Sequence, residues 1–250
     1  MTPATGSTGS PPPRSTSTRP EIVYPDRDGK PMSDNTLQFK WIVTIKEGLE
    51  ALFRDDPNVF VAGDLLWYPV EGEPKIRSAP DAMVAFGRPK GYRGSYKQWV
   101  EGGVAPQVVF EVASPGNRPA EMARKLRFYE RYGAEEYYLY DPDRGTLEGW
   151  LRGDRGFEPI ERTDGYRSPR LGVVFENPGA PDALVIRGPD GAPFATYVEL
   201  FEERNAERRR ADTESDRADT ESDRADAERR RADRLADRLR QLGFDPDLDV

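Results

Sequence analysis

The chain has no histidine and no cysteine among its 250 residues. Their absence excludes disulfides, thiolate nucleophiles, cysteine-bound zinc, histidine-bound metals and the Ser-His-Asp triad. Asp, Glu, Lys, Arg, Tyr, Ser and Thr remain for chemistry, and their oxygen ligands favour Mg²⁺, Mn²⁺ or Ca²⁺ over softer metals. No apolar run approaches the roughly 20 residues that cross a bilayer. The N-terminus is Thr, Ser, Pro and Gly with no apolar centre, unlike a secretory signal. A cytoplasmic protein without a membrane partner is expected. No phosphate-cradling loop of the Walker or dinucleotide type is present. The net charge of −8 argues against broad coating of nucleic acid, which needs a basic footprint. It leaves open an enzyme that holds nucleic acid locally through a metal.

Residues 1–35 are rich in Pro, Ser, Thr and Gly and read as a disordered tail. From Thr36 to Arg54, Phe39, Ile42, Val43, Ile45, Leu49 and Leu52 recur at helical spacing, which predicts an amphipathic helix. Val59–Ala62 and Leu65–Tyr68 read as short strands. Asp81–Phe86 and Gln107–Val112 are apolar on both faces, as central strands covered on both sides should be. Between them lies a polar, Gly-rich, aromatic loop over 87–103. Asn117-Arg-Pro119 opens a helix with Pro at its first position, and Gly133 closes it after Tyr132. Glu136–Asp141 is another strand. Leu147–Arg152 and Phe157–Arg162 form a hairpin across Gly153–Gly156, and Leu171–Phe175 is a late strand.

From Glu199 the chain repeats every seven residues, with Arg-Ala-Asp-Thr-Glu-Ser-Asp at 210–216 and again at 217–223. Ala211, Ala218, Ala225, Ala232 and Leu239 share one heptad position. Glu214, Glu221, Glu228, Leu235 and Leu242 share another. A coiled coil wants apolar residues at both positions. A homodimeric coiled coil and a single solvated helix laced with Arg–acid pairs therefore both stand.

Asp81, Glu111 and Lys125 are the leading candidates for chemistry. A carboxylate ending a strand with two apolar faces, as Glu111 does, is costly unless paired, metal-bound or at the mouth of a site. Asp81 follows Pro80, a common turn pair, and gains weight only from Glu111 on the neighbouring strand. At about 100° per residue, Lys125 falls inside the apolar arc of Met122, Leu126, Phe128, Tyr129 and Tyr132. An inward lysine needs a partner. The strand-end carboxylates supply one, and Glu121, four residues back, supplies another. Asp64, Glu47 and Glu121 are accessory carboxylates. Tyr92, Tyr96 and Trp99, interleaved with Arg88, Lys90, Arg93 and Lys97, can stack bases and hold phosphates. The even alternative is a loop packed by its own aromatics. Ser114 has no histidine base, so Ser114-Pro115-Gly116 serves to turn the chain.

At these residues the chain resembles the Uma2 family, also catalogued as DUF820, which is grouped with the PD-(D/E)XK nucleases. The resemblance spans Thr36 to Val198. It rests on Pro80-Asp81, Phe110–Pro115, Glu121 through Lys125 to Tyr129, Gly133–Tyr137 and Tyr140-Asp-Pro142. The charged heptad tail is also similar to extensions on many members. The resemblance implies an α/β (α+β) restriction-endonuclease-like core, a mixed central sheet flanked by helices, followed by the long charged helix. It makes Asp81 and Glu111 metal ligands and Lys125 the lysine that activates water and offsets developing charge. The superfamily's usual lysine, two residues after the second acid, is Ala113 here. Glu121 stands where the family often has Asp, and Ser114-Pro-Gly-Asn117 departs from the commoner Ser-Pro-Ser-Thr.

The expected organisation is a tail at 1–35, a nuclease domain at 36–198, a heptad helix at 199–243 and a short tail at 244–250. The expected function is phosphodiester hydrolysis dependent on Mg²⁺ or Mn²⁺, by a DNA endonuclease. Asp81 and Glu111 would hold the cation together with the carbonyl of Val112. The rival is a nuclease fold without catalysis that binds a protein partner or nucleic acid through its C-terminal helix.

Overall fold

The two apolar runs expected to be central become adjacent strands inside a six-stranded mixed sheet. The computed structural model describes residues 22–26, 29 and 33–242. The sheet contains β1 (Val59–Ala62), β3 (Ala82–Phe86), β5 (Val108–Val112), β6 (Glu136–Asp141), β7 (Thr146–Gly153) and β8 (Gly156–Pro159), in the order β1-β3-β5-β6-β7-β8. Only the β5–β6 pairing is parallel; the others are antiparallel. A parallel pair needs a crossover, and α2 (Pro119–Tyr132) provides it. β5 is buried at every position. β2 (Trp67–Tyr68) and β4 (Tyr96–Lys97) pair separately in parallel. β9 (Val174–Glu176) and β10 (Val185–Arg187) form a further antiparallel pair.

α1 (Thr36–Leu52) packs against β1, β3 and β5, burying Trp41, Ile42, Ile45 and Leu49. Asn35 caps it by accepting from the Gln38 amide at 2.8 Å. α2 covers the other face. Its Tyr129 joins a core of Phe60, Trp67, Met83, Val109 and Tyr137. Alternation along β3 and β5 therefore points Met83, Ala85 and Val109 toward α2. The limits of α2 match the sequence signals, with Pro119 at its start and Gly133 at φ +105° after its end. Gly133 sits in the left-handed region that glycine enters without a side-chain clash.

β2 is shorter than the expected Leu65–Tyr68, β8 ends at Pro159 rather than Arg162, and three further elements differ from expectation. β4 lies inside the segment read as loop, because a two-residue ladder leaves no periodicity to detect. The late strand starts at Val174 rather than Leu171. Gly172 at φ +71° closes a turn there, its amide donating to Ser168 O at 2.9 Å. β10 carries only three residues and was not anticipated.

Of the segment read as a tail, most residues lie outside the described ones. Tyr24 within it packs on Tyr68 and Trp99 at 5.3 and 5.1 Å between ring centroids. The chain divides into two compact units, one ending at Pro193 and one beginning at Phe194. The second holds α3 (Tyr197–Gln241), a helix of 45 residues with none buried, opened by a capping box between Thr196 and Glu199. The terminal residues 244–250 fall outside the described residues. Among the described residues, no helix is long and apolar enough to cross a membrane.

Candidate active site

Antiparallel pairing sets Ala82 opposite Phe110, so the residues one step outward, Asp81 and Glu111, come side by side. Both alternate onto the α2 face. The two carboxyl groups lie close enough to interact electrostatically, and Asp81 Oδ2 accepts from the Val112 amide at 2.6 Å. α2 delivers two more groups from one face, four residues apart. Lys125 Nζ donates to Glu111 Oε2 at 2.6 Å, and the Tyr129 hydroxyl donates to Glu111 Oε1. The Tyr129 hydroxyl also meets Ser78 Oγ at 2.9 Å. Glu111 is 2% exposed as a side chain, with a donor on each oxygen, while Lys125 keeps 24% exposure and opens to solvent. The strand-end acids and the inward lysine thus converge, and Lys125 reaches Glu111.

The electrostatics follow from this crowding. Burial, and then the charge of Glu111, hold the Asp81 carboxyl well above the usual carboxylate range. Burial pulls Lys125 down, but Glu111 and Asp81 together outweigh it and hold the ammonium above its ordinary value. Burial, and then Glu111, push the Tyr129 phenol far up, so it remains a donor.

Asp81 and Lys125 line an open cleft of about 680 Å³. Its other walls include Asp64, Glu121, Lys75, Arg77 and Arg124. Asp64 holds φ +48°, a region Asp tolerates better than most residues, and its amide donates to Pro80 O at 3.0 Å. Lys75 and Arg124 make no ion pair among the described residues, and Arg77 makes only a 3.3 Å bond to Pro74 O. Glu47 is not in the cleft lining; its exposed carboxylate pairs with Lys46 at 2.9 Å.

The aromatic loop does not join this cleft. Arg93 is held by Glu101 at 2.6 Å and lies over the Phe60 ring. Lys90 pairs with Glu50 at 3.1 Å, and Arg88 donates to Glu101 O at 2.8 Å. Tyr96 is fully buried, its hydroxyl donating to Val104 O at 2.9 Å, and Lys97 lies over Tyr24. Tyr92 alone is left open to solvent. Most of these charges have partners inside the fold, which the sequence could not reveal.

Besides Lys75, Arg77 and Arg124, the cleft holds Asp34 and Gln38, which the sequence does not single out. Gln38 on α1 donates through Nε2 to Val112 O at 2.8 Å and accepts from the Asp34 amide at 2.7 Å. It therefore occupies the carbonyl expected to help hold a cation. Asp34 accepts from Ser114 Oγ at 2.5 Å. The spacing of Asn35 and Gln38 reads as a helix start, but nothing in the sequence ties that start to the end of β5.

No curated protein matches the chain. Among solved structures, a "putative nuclease belonging to DUF820" from Anabaena variabilis ATCC 29413 is similar at 13% identity. That match covers 55% of this chain and 75% of that one, with a TM-score of 0.43. The family model of Uma2, described as "Putative restriction endonuclease", matches residues 36–178. That span is more than half of the 250 residues, and the chain belongs to the Uma2 family.

Proposed function

We propose that this protein is a divalent-metal-dependent phosphodiesterase, an endonuclease acting on DNA, with Asp81, Glu111 and Lys125 as its catalytic residues. The observation that carries this reading is the buried carboxylate of Glu111, paired with Lys125 and beside Asp81, directly behind an open cleft that Asp81 and Lys125 line. The donor set fits a hard cation. Two neighbouring carboxyl groups, one of them held above its ordinary range by burial and then by the charge of the other, are stabilised by a positive charge between them. Among the described residues no third acidic side chain completes a ligand cluster. Two protein carboxylates with water and phosphate oxygen filling the rest suits Mg²⁺ or Mn²⁺, which retain several non-protein ligands.

When bound, such a cation lowers the pKa of a coordinated water and stabilises charge on the phosphoryl oxygens. The side chains do the rest. Tyr129 and Lys125 fix both oxygens of Glu111, so the carboxylate keeps one orientation. The Val112 amide does the same for Asp81. Lys125, protonated and partly exposed, places its charge beside the attacked phosphate, where negative charge grows in the transition state. Lys75, Arg77 and Arg124 hold the flanking phosphates.

The test is Mg²⁺-dependent nicking of supercoiled plasmid. Wild type converts the plasmid to open circles, while Glu111→Ala and Lys125→Ala lose at least about 100-fold in rate. Equal rates in all three proteins would discard the assignment.

A further inference from the structure

α3 displays apolar side chains at its two ends and few between. Tyr197, Leu200 and Phe201 stand exposed at its head, and Leu235 and Leu242 at its foot. On the heptad frame of the alanines, Tyr197, Arg204, Ala211, Ala218, Ala225, Ala232 and Leu239 share one seam position. Leu200, Glu207, Glu214, Glu221, Glu228, Leu235 and Leu242 share the other. With 45 residues at about 1.5 Å each, the helix is a rod of about 68 Å, and no residue along it is buried.

We propose that α3 is an interaction surface for a second copy of the same chain, in an antiparallel pair that overlaps along the whole helix. In a two-stranded antiparallel seam, the two positions face each other across the partner. Full overlap sets Tyr197 against Leu242 and Leu200 against Leu239. Arg204 then lies along Leu235 with its stem on the leucine and its head in water. Every seam glutamate meets an alanine: Glu207 with Ala232, Glu214 with Ala225, Ala218 with Glu221, and Ala211 with Glu228. The small methyl group leaves each glutamate room to reach solvent.

The alternatives fit less well. A parallel in-register pair sets each of these four glutamates against its own copy and Arg204 against Arg204, five like-charge layers in one seam. An antiparallel pair slipped by one heptad either sets Leu239 and Leu242 against Glu207 and Arg204 or leaves both leucines beyond the end of the partner helix. The flanking arginines 210, 217, 224 and 231 each follow a seam glutamate by three residues, the spacing at which opposite charges meet on one helix face. The helix is thus complementary to itself end for end, as a two-fold contact requires. This self-complementarity commits the surface to a second copy rather than to an unrelated protein.

The lack of cysteine makes the test direct. Leu200→Cys and Leu239→Cys are made separately in the full chain and oxidised alone and as an equimolar mixture. The expected result is a disulfide-linked dimer in the mixture only, and a sedimenting mass for the unmodified protein of twice the chain. Cross-linking of either variant alone would mean a parallel pair and overturn the proposal. A monomeric mass without cross-linking would also overturn it, leaving α3 as a lone helix or a site for another protein. A dimeric mass with no cross-link in the mixture would refute this register.

Discussion

Glu111 can sit almost wholly buried because each of its oxygens has a donor, from Lys125 and from Tyr129. Asp81 is less well served. Its one charge-stabilising backbone contact is the Val112 amide, while burial and Glu111 both oppose its ionisation. The folded state therefore binds a proton at Asp81 more readily than the unfolded chain does. The ionised form costs stability as pH rises through the raised folded pKa. Asp81→Asn keeps an oxygen for the Val112 amide and removes the repulsion. It should abolish nicking yet raise the melting temperature in metal-free buffer by about 2–4 °C, which is about 1 kcal/mol for a chain of this size. The gain should be largest at neutral pH and vanish as pH falls to the ordinary carboxylate range. A melting temperature at or below wild type at pH 7 would contradict this account.

Among the elements, α2 does most to build the site, because one face carries both Lys125 and Tyr129. Removing the Tyr129 hydroxyl leaves Glu111 Oε1 and Ser78 Oγ without that partner, while the ring keeps its stacking on Trp67. Tyr129→Phe should cost about 1–3 kcal/mol of stability, read from urea denaturation with an unchanged slope. It should also lower nicking without ending it. Much of this element was legible in the sequence. Pro119 and Gly133 mark its limits, and helical spacing alone turns Lys125 inward. β3 and β5 were legible for a similar reason, as unbroken apolar runs ending in acids. Their adjacency in one sheet makes Asp81 and Glu111 neighbours. What stayed hidden depends on partners distant along the chain. Gln38 reaches Val112 across 74 positions, and Lys90 finds Glu50 across 40. The aromatic loop therefore shows its charges in the sequence but not their partners, which leaves a nucleic-acid surface and a self-packed loop equally open at that level. The basic residues of the cleft itself, Lys75, Arg77 and Arg124, carry no motif and drew no attention.

Taken as a whole, the protein is acidic at −8, so the proposed substrate, a polyanion, would approach against the protein's own field. On the proposed function, the cleft cations without ion pairs among the described residues would make that binding local. About three phosphate contacts should give a slope of log affinity against log salt of roughly −2 to −3. Arg124→Ala or Lys75→Ala should reduce its magnitude by about 1. Both can be measured by fluorescence anisotropy with Ca²⁺ in place of Mg²⁺. The same substitution at Arg93, which is bound to Glu101, should leave the slope unchanged. A slope near zero in wild type would remove the cleft as the binding surface.

The acid pair, the lysine, the tyrosine and Ser78 all come from one continuous stretch of chain, Ser78 to Tyr129. From β7 onward, the first unit supplies sheet edge, hairpin and loops but none of these groups. Inheritance can therefore act on the two parts separately. Substitutions and insertions in the later loops can accumulate or be selected without disturbing the proposed reacting groups. Lineages that share this centre should differ first, and most, beyond Pro142.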